Sequence, residues 1–166
     1  MTMMESWYHK RESKLKTILI GIGNVGRQDD GLGWEFLDRI KQMGFPEKDM
    51  VYRYQLQVED ADLICNYDRV IFVDASRNEL AGGIELTPCS SSSKHGFTSH
   101  ELAPETIMYL AKTLYNHEPN SYILGIQGVE WNLKHGLSPI AQRNLDSAID
   151  LFAKHPILDT KLQANK

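Results

Sequence analysis

The residues of this chain whose types and order could do chemistry together are a few acids and histidines spread along its length. Asp29 and Asp30 sit side by side after a glycine-rich stretch, and Asp74 closes the apolar run Arg69 to Asp74. His95 and His100 flank Phe97-Thr98-Ser99, and Gln127, Glu130 and His135 follow a further apolar run. Oxygen and imidazole donors brought in by separate loops suit a divalent ion with open positions, such as nickel, zinc or manganese, and the affinity order alone picks none of them. A carboxylate in such a place could instead take a proton from water as a general base. Each residue also has a plainer role. Asp30 could stabilise a helix N-terminus, Asp74 could cap a turn, and His100 could be a structural histidine. Convergence favours Asp30, Asp74 and His100 as one site, because a single site explains all three. Asp29 reads as a capping or supporting acid. Ser76, Ser99 and Cys89 lie near the same edge, but none sits on a Gly-x-Ser-x-Gly elbow, and no His-Glu-x-x-His helix is present.

The elements that must position these residues begin with Ile18-Leu19-Ile20-Gly21-Ile22, a β-branched apolar run that reads as a strand buried on both faces. A tight loop follows, and then the amphipathic run Trp34 to Met43, with Trp34, Leu37, Ile40 and Lys41 at helical spacing. Strand, loop and helix make the first unit of a parallel α/β domain. In such domains the reactive crevice lies outside the carboxyl ends of the strands, where Asp29 and Asp30 would be delivered. Gly21-x-Gly23-x-x-Gly26 also matches the dinucleotide-binding fingerprint, so a nucleotide-dependent oxidoreductase is the alternative. Against it, two carboxylates follow at the positive end of the helix, where they would repel a phosphate.

Further along, Gly44-Phe45-Pro46 stops the first helix. Met50 to Gln57 alternates as a second strand, and Glu59 to Tyr67 suits a short helix. Arg69 to Asp74 is a third strand ending on its acid, Gly82-Gly83 a turn, and Ile84 to Thr87 a fourth strand. Pro88 to Gly96 reads as a flexible serine-rich loop. Ile107, Leu110, Ala111 and Leu114 mark one face of a helix with Pro104 at its first position. Ser121 to Ile126 is the last strand, and Ser138-Pro139 caps a final helix carrying Ala141, Leu145, Ala148, Ile149 and Phe152. Trp34 and Tyr109 read as core.

These elements predict an α/β, three-layer sandwich: a mostly parallel sheet of about five strands flanked by helices. The expected organisation is an N-terminal arm over 1–15, in which Trp7 and Tyr8 could anchor to the body, one domain over 16–158 and a tail over 159–166. The chain has 166 residues and a net charge of -4, which offers no basic stripe for nucleic acid. No run approaches the roughly eighteen apolar residues of a membrane helix, and Met1 to Leu15 lacks the apolar core of a signal peptide. Cys65 and Cys89 make neither a disulfide framework nor a zinc spacing. A cytoplasmic monomer is expected.

Taken together, the motifs resemble those of the nickel–iron hydrogenase maturation endopeptidases. The resemblance runs through Gly21-Ile22-Gly23-Asn24, Asp29-Asp30-Gly31-x-Gly33, Val73-Asp74-Ala75, Ser99-His100 ahead of a helix, and Leu124-Gly125-Ile126-Gln127, over about four-fifths of the chain. It implies that Asp30, Asp74 and His100 form a metal-recognising trio, with Asp30 and Asp74 as catalytic candidates. It implies a twisted, phosphorylase/hydrolase-like sheet flanked by helices, and cleavage of a C-terminal extension from the precursor of a hydrogenase large subunit. The nickel would be carried by that substrate, with no tightly bound cofactor of the enzyme's own, and zinc or cadmium could substitute in a crystal. The alternative within the same resemblance is a non-catalytic nickel-binding maturation factor. Where the family often has a Gly-Gly-Thr/Ser-Ala turn after the second strand, this chain has Gln55-Leu56-Gln57-Val58-Glu59. That departure implies a divergent member acting on a different hydrogenase class.

Overall fold

A computed structural model describes residues 15–92 and 102–155. The order of elements is β1 (Thr17–Ile22), a 3-10 segment (Val25–Gly31), α1 (Leu32–Gln42), β2 (Met50–Arg53), α2 (Asp60–Ile64) and β3 (Arg69–Ser76). Then follow β4 (Ile84–Pro88), α3 (Pro104–Tyr115), β5 (Asn120–Gln127) and α4 (Pro139–Lys154). The sheet order is β2-β1-β3-β5-β4. All neighbours pair in parallel except β4, which runs antiparallel to β5 at one edge. α1 carries the chain from β1 to β2 and α2 from β2 to β3, helical crossovers of the kind parallel strands require.

Alternation along the central strands feeds two cores. Leu19, Ile71, Val73, Leu124 and Ile126 meet α1 and α4 on one face. Ile18, Ile20, Val70 and Phe72 meet α2 and α3 on the other. The α/β three-layer architecture is therefore the one the patterning predicts. No helix among the described residues is long and apolar enough to cross a membrane.

Leu32, Phe36, Leu37 and Ile40 of α1 are fully buried, each worth roughly 1.5–3 kcal/mol. The N-cap of α1, Gly31, makes no side-chain cap bond, so packing rather than capping fixes where this helix begins. The last helix is capped as expected: the Ser138 side chain accepts from Ala141 N–H, and Pro139 takes the first helical position. Pro104 likewise opens α3.

Several expectations shift. β2 ends at Arg53, short of Gln57, because the chain leaves the sheet to let Asp60 take the Gln57 N–H. β3 continues past Asp74 to Ser76, paired with β5 throughout, so Asp74 is not its last residue. Leu114 is exposed, and Trp34 and Tyr109 are half-buried rather than core. The first part of the serine-rich loop is tied down: Cys89 N–H donates to Ser121 O at 2.8 Å and Ser92 N–H to Glu105 O at 3.1 Å. The rest of that loop, the N-terminal arm with Trp7 and Tyr8, and the tail lie outside the described residues.

Candidate active site

The glycines of the first loop explain how Asp30 reaches the sheet edge. At the end of β1, Gly23 has φ of 147°, a conformation that glycine adopts without strain. A Cβ there would lie 1.9 Å from the Asp30 carbonyl oxygen. The Gly23 N–H donates to Arg53 O at 2.9 Å, and the Asn24 N–H donates to Asp30 O at 3.0 Å. The chain from Asn24 to Asp30 thus closes on itself. Gly33 then brings the start of α1 against two strands at once: a Cβ would stand 2.5 Å from both Ile22 O and Val73 O. The Gly-x-Gly motif serves contact between strand, loop and helix. Gly26 opens no α-helix, since α1 begins at Leu32, and the space beside Gly23 is filled by the chain itself. The loop therefore lacks the bare helix N-terminus that a dinucleotide pyrophosphate needs.

Asp74 is aligned with Ile22 in the β1–β3 register. Asp30 and Asp74, both half-buried, line one cleft of about 760 Å³ together with Arg27, Arg53, Tyr54, Gln57 and Leu102. They also line a smaller polar pocket with Arg27, Arg77 and Trp131. So the structure brings together two of the three residues singled out from the sequence. His100, like His95 and Ser99, lies outside the described residues. Among the described residues no group of three or more histidine, cysteine, aspartate or glutamate side chains could hold a metal ion. Leu102, two positions after His100 in the chain, bridges to Leu56 and lines the same cleft.

Asp29 is a supporting acid, as its position suggested. It is fully buried. Its Oδ2 accepts from Val129 N–H at 2.8 Å, Glu130 N–H at 2.9 Å and the Ser138 hydroxyl at 2.7 Å, and its Oδ1 accepts from Ser138 N–H at 2.7 Å. Burial pushes this carboxyl up, but the donors of Ser138, Val129 and Glu130 outweigh that and hold it below the ordinary aspartate value. Gln28, at the left-handed φ of 49°, reaches the same loop: its amide donates to Glu130 Oε2 at 3.1 Å and its Oε1 accepts from Asn132 N–H at 3.0 Å. Glu130 and Gln127 therefore hold loops together. The Gln127 side chain accepts from Leu80 N–H at 2.7 Å. His135 is exposed and does not line the cleft.

Opposite this loop, the cleft wall after β2 rests on an ion pair. Arg53 meets Asp60 at 2.9 Å, with Asp60 wholly buried, and Asp60 also accepts the Gln57 N–H at 2.8 Å. Trp34 donates its indole N–H to Arg53 O at 3.0 Å and packs against Tyr52 and Tyr54. These contacts brace the segment that follows β2, where Gln55-Leu56-Gln57 stands. Sequence reasoning missed Arg27, Arg53, Asp60 and Arg77. Arg53 and Asp60 carried no visible signal, because their pairing depends on where the chain leaves β2. Arg77 follows Asp74 closely enough to have been flagged from the end of a strand.

No protein-family profile matches the chain. An inferred hydrogenase maturation protease of Methanocaldococcus jannaschii is 27% identical over 155 residues, covering 84% of this chain and 95% of that one. Among solved structures, a [NiFe] hydrogenase maturation protease, HycI, from Thermococcus kodakarensis superposes with a TM-score of 0.65 at 21% identity, covering 87% of this chain and 92% of the other. The hydrogenase maturating endopeptidase HybD from E. coli gives a TM-score of 0.64 at 16% identity, covering 82% and 88%. In motif order, in sequence and in fold, this chain resembles the hydrogenase maturation endopeptidases.

Proposed function

We propose that this protein is an endopeptidase that removes a C-terminal extension from the nickel-loaded precursor of a NiFe hydrogenase large subunit. Asp30, Asp74 and His100 recognise the nickel, which belongs to the substrate, and Asp30 and Asp74 are the carboxylates beside the scissile bond. The observation that carries this reading is that Asp30 and Asp74 line one cleft, in a chain similar over most of its length to a hydrogenase maturation protease. Leu102 lines that cleft as well, which supports His100 as the third member. The enzyme works as a cytoplasmic monomer on a protein partner, without nucleic acid or membrane.

Two forms of the chemistry are open to these residues. A nickel ion beside the scissile carbonyl would polarise it and acidify a bound water. Alternatively the ion only docks the precursor, and Asp74 or Asp30 takes a proton from the attacking water. In both, the oxygen of water adds to the carbonyl carbon, the C–N bond breaks, and the leaving amine takes up a proton.

The test mixes the protein with a C-terminally extended, nickel-loaded large subunit and follows intact mass. Loss of the extension is expected with wild type, and no loss with His100→Ala or with nickel-free precursor. Cleavage that persists without nickel or without His100 would overturn the recognition role. An uncut precursor in every arm would leave a nickel-binding factor in place of an enzyme.

A further inference from the structure

The polar pocket next to the two aspartates has a composition that the proposed cleavage does not use. It holds about 300 Å³ and is lined by Arg27, Asp30, Asp74, Ala75, Arg77 and Trp131. The Arg77 guanidinium lies 4.1 Å from the centroid of the Trp131 ring, a stacked arrangement that leaves its N–H edge available. The ring is itself seated: a Cβ on Gly128 would come within 2.9 Å of it, and the backbone on either side is held by the buried Asp29 and by Gln28. Neither Arg27 nor Arg77 forms a salt bridge among the described residues. Two guanidiniums, one stacked on an aromatic plate, therefore line a pocket with room for a side chain at the edge of the proposed reaction centre.

We infer that Arg27 and Arg77, with Trp131 as a rigid backing, form a subsite for a carboxylate of the peptide substrate, close to the scissile bond. The inference rests on the peptidase reading and names a specificity element of the same site. Guanidinium matches carboxylate geometry in a bidentate way that an ammonium does not. In the proposed reaction the substrate's nickel lies beside Asp30 and Asp74 and offsets their negative charge, so the two guanidiniums set the sign of the pocket and favour an anion. The carboxylate can come from an acidic side chain beside the cut or from a chain terminus. The pocket's place beside Asp30 and Asp74 favours the side chain.

The full-length protein, with nickel(II) chloride present, is titrated while Trp131 emission is followed, a Trp131→Phe variant identifying its share of the signal. The probes are N-acetyl-glutamyl amide, N-acetyl-glutaminyl amide and N-acetyl-alanine, which carry a side-chain carboxylate, none, and a terminal one. The expected result is a saturable change with the glutamyl probe, at least tenfold weaker with the glutaminyl probe, and weakened at least tenfold by Arg77→Ala but less by Arg77→Lys. A response to N-acetyl-alanine equal to that of the glutamyl probe would assign the subsite to a terminus and overturn the side-chain assignment. Equal responses to the glutamyl and glutaminyl probes, or none, would overturn the subsite. Because this readout needs no cleavage, an uncut precursor together with an Arg77-dependent glutamyl response removes the peptidase reading and keeps the subsite. In the precursor assay, Arg77→Ala should raise KM about tenfold and change kcat less than twofold, whereas an equal fall in kcat would mark a structural role.

Discussion

Asp29 and Ser138, separated by 109 positions in the chain, are joined twice: the Ser138 N–H donates to Asp29 Oδ1 and the Ser138 hydroxyl to Oδ2, each at 2.7 Å. The same hydroxyl accepts the Ala141 N–H at 3.1 Å at the start of α4. One buried carboxylate thus fixes the loop that carries Trp131, caps a helix through serine, and anchors the residue next to Asp30. Local strain at Gln28 is tolerated because these bonds over-determine the loop.

Replacing Asp29 tests that role. Asp29→Asn removes the charge and turns a donor towards donors, and is expected to cost about 2–4 kcal/mol in urea unfolding at pH 7. The pH dependence has a definite sign. A carboxyl whose folded value is depressed contributes stability above its unfolded value, about 3.8, and loses that contribution as pH falls through the lower folded value. Between pH 6 and pH 2 the wild type should therefore lose more stability than Asp29→Asn, most of it below about pH 4. Parallel stability curves for the two proteins would refute the assignment.

Gly33 sets how closely α1 approaches β1 and β3. Gly33→Ala places a methyl 2.5 Å from two carbonyl oxygens, and backbone cannot yield as a side-chain tip can. The expected loss is about 1–3 kcal/mol, read from thermal melts. Cleavage should fall further than stability explains, because Asp30 moves with the helix start. Unchanged melting would show that the contact is slack.

Asp74→Asn separates the two forms of the proposed chemistry. If Asp74 activates water, the variant still retains nickel-loaded precursor in a pull-down while cleavage drops by roughly 10² to 10⁴. If Asp74 serves only to hold the ion, retention and cleavage fall together.

The Arg53–Asp60 pair should be asymmetric. Arg53→Met leaves the fully buried Asp60 carboxylate with only the Gln57 N–H, and is expected to cost roughly 2–4 kcal/mol. Arg53→Met combined with Asp60→Leu should recover part of that loss in chemical denaturation, since no buried charge then remains. A double variant less stable than the sum of the singles would contradict this account.

Much of this molecule was legible from residue order. The apolar runs of β1 and β3 specify strands buried on both faces because alternate side chains feed opposite cores, and Ser138-Pro139 and Pro104 mark helix starts by local chemistry that needs no partner. Asp30 and Asp74 were recognisable as candidates because parallel α/β order sends residues at strand ends to one edge. What tertiary structure alone decided is which acids do which work. Asp29 and Asp30 are neighbours of identical type, yet one is buried under four donors from a loop about a hundred residues away, and the other lines the cleft. Likewise the end of β2, the bracing of Arg53 by Asp60, and the meeting of Arg27, Arg77 and Trp131 depend on contacts between segments distant in the chain. Composition and periodicity report local preference and average burial, whereas these pairings arise only when the folded loops bring particular donors and acceptors within hydrogen-bonding distance.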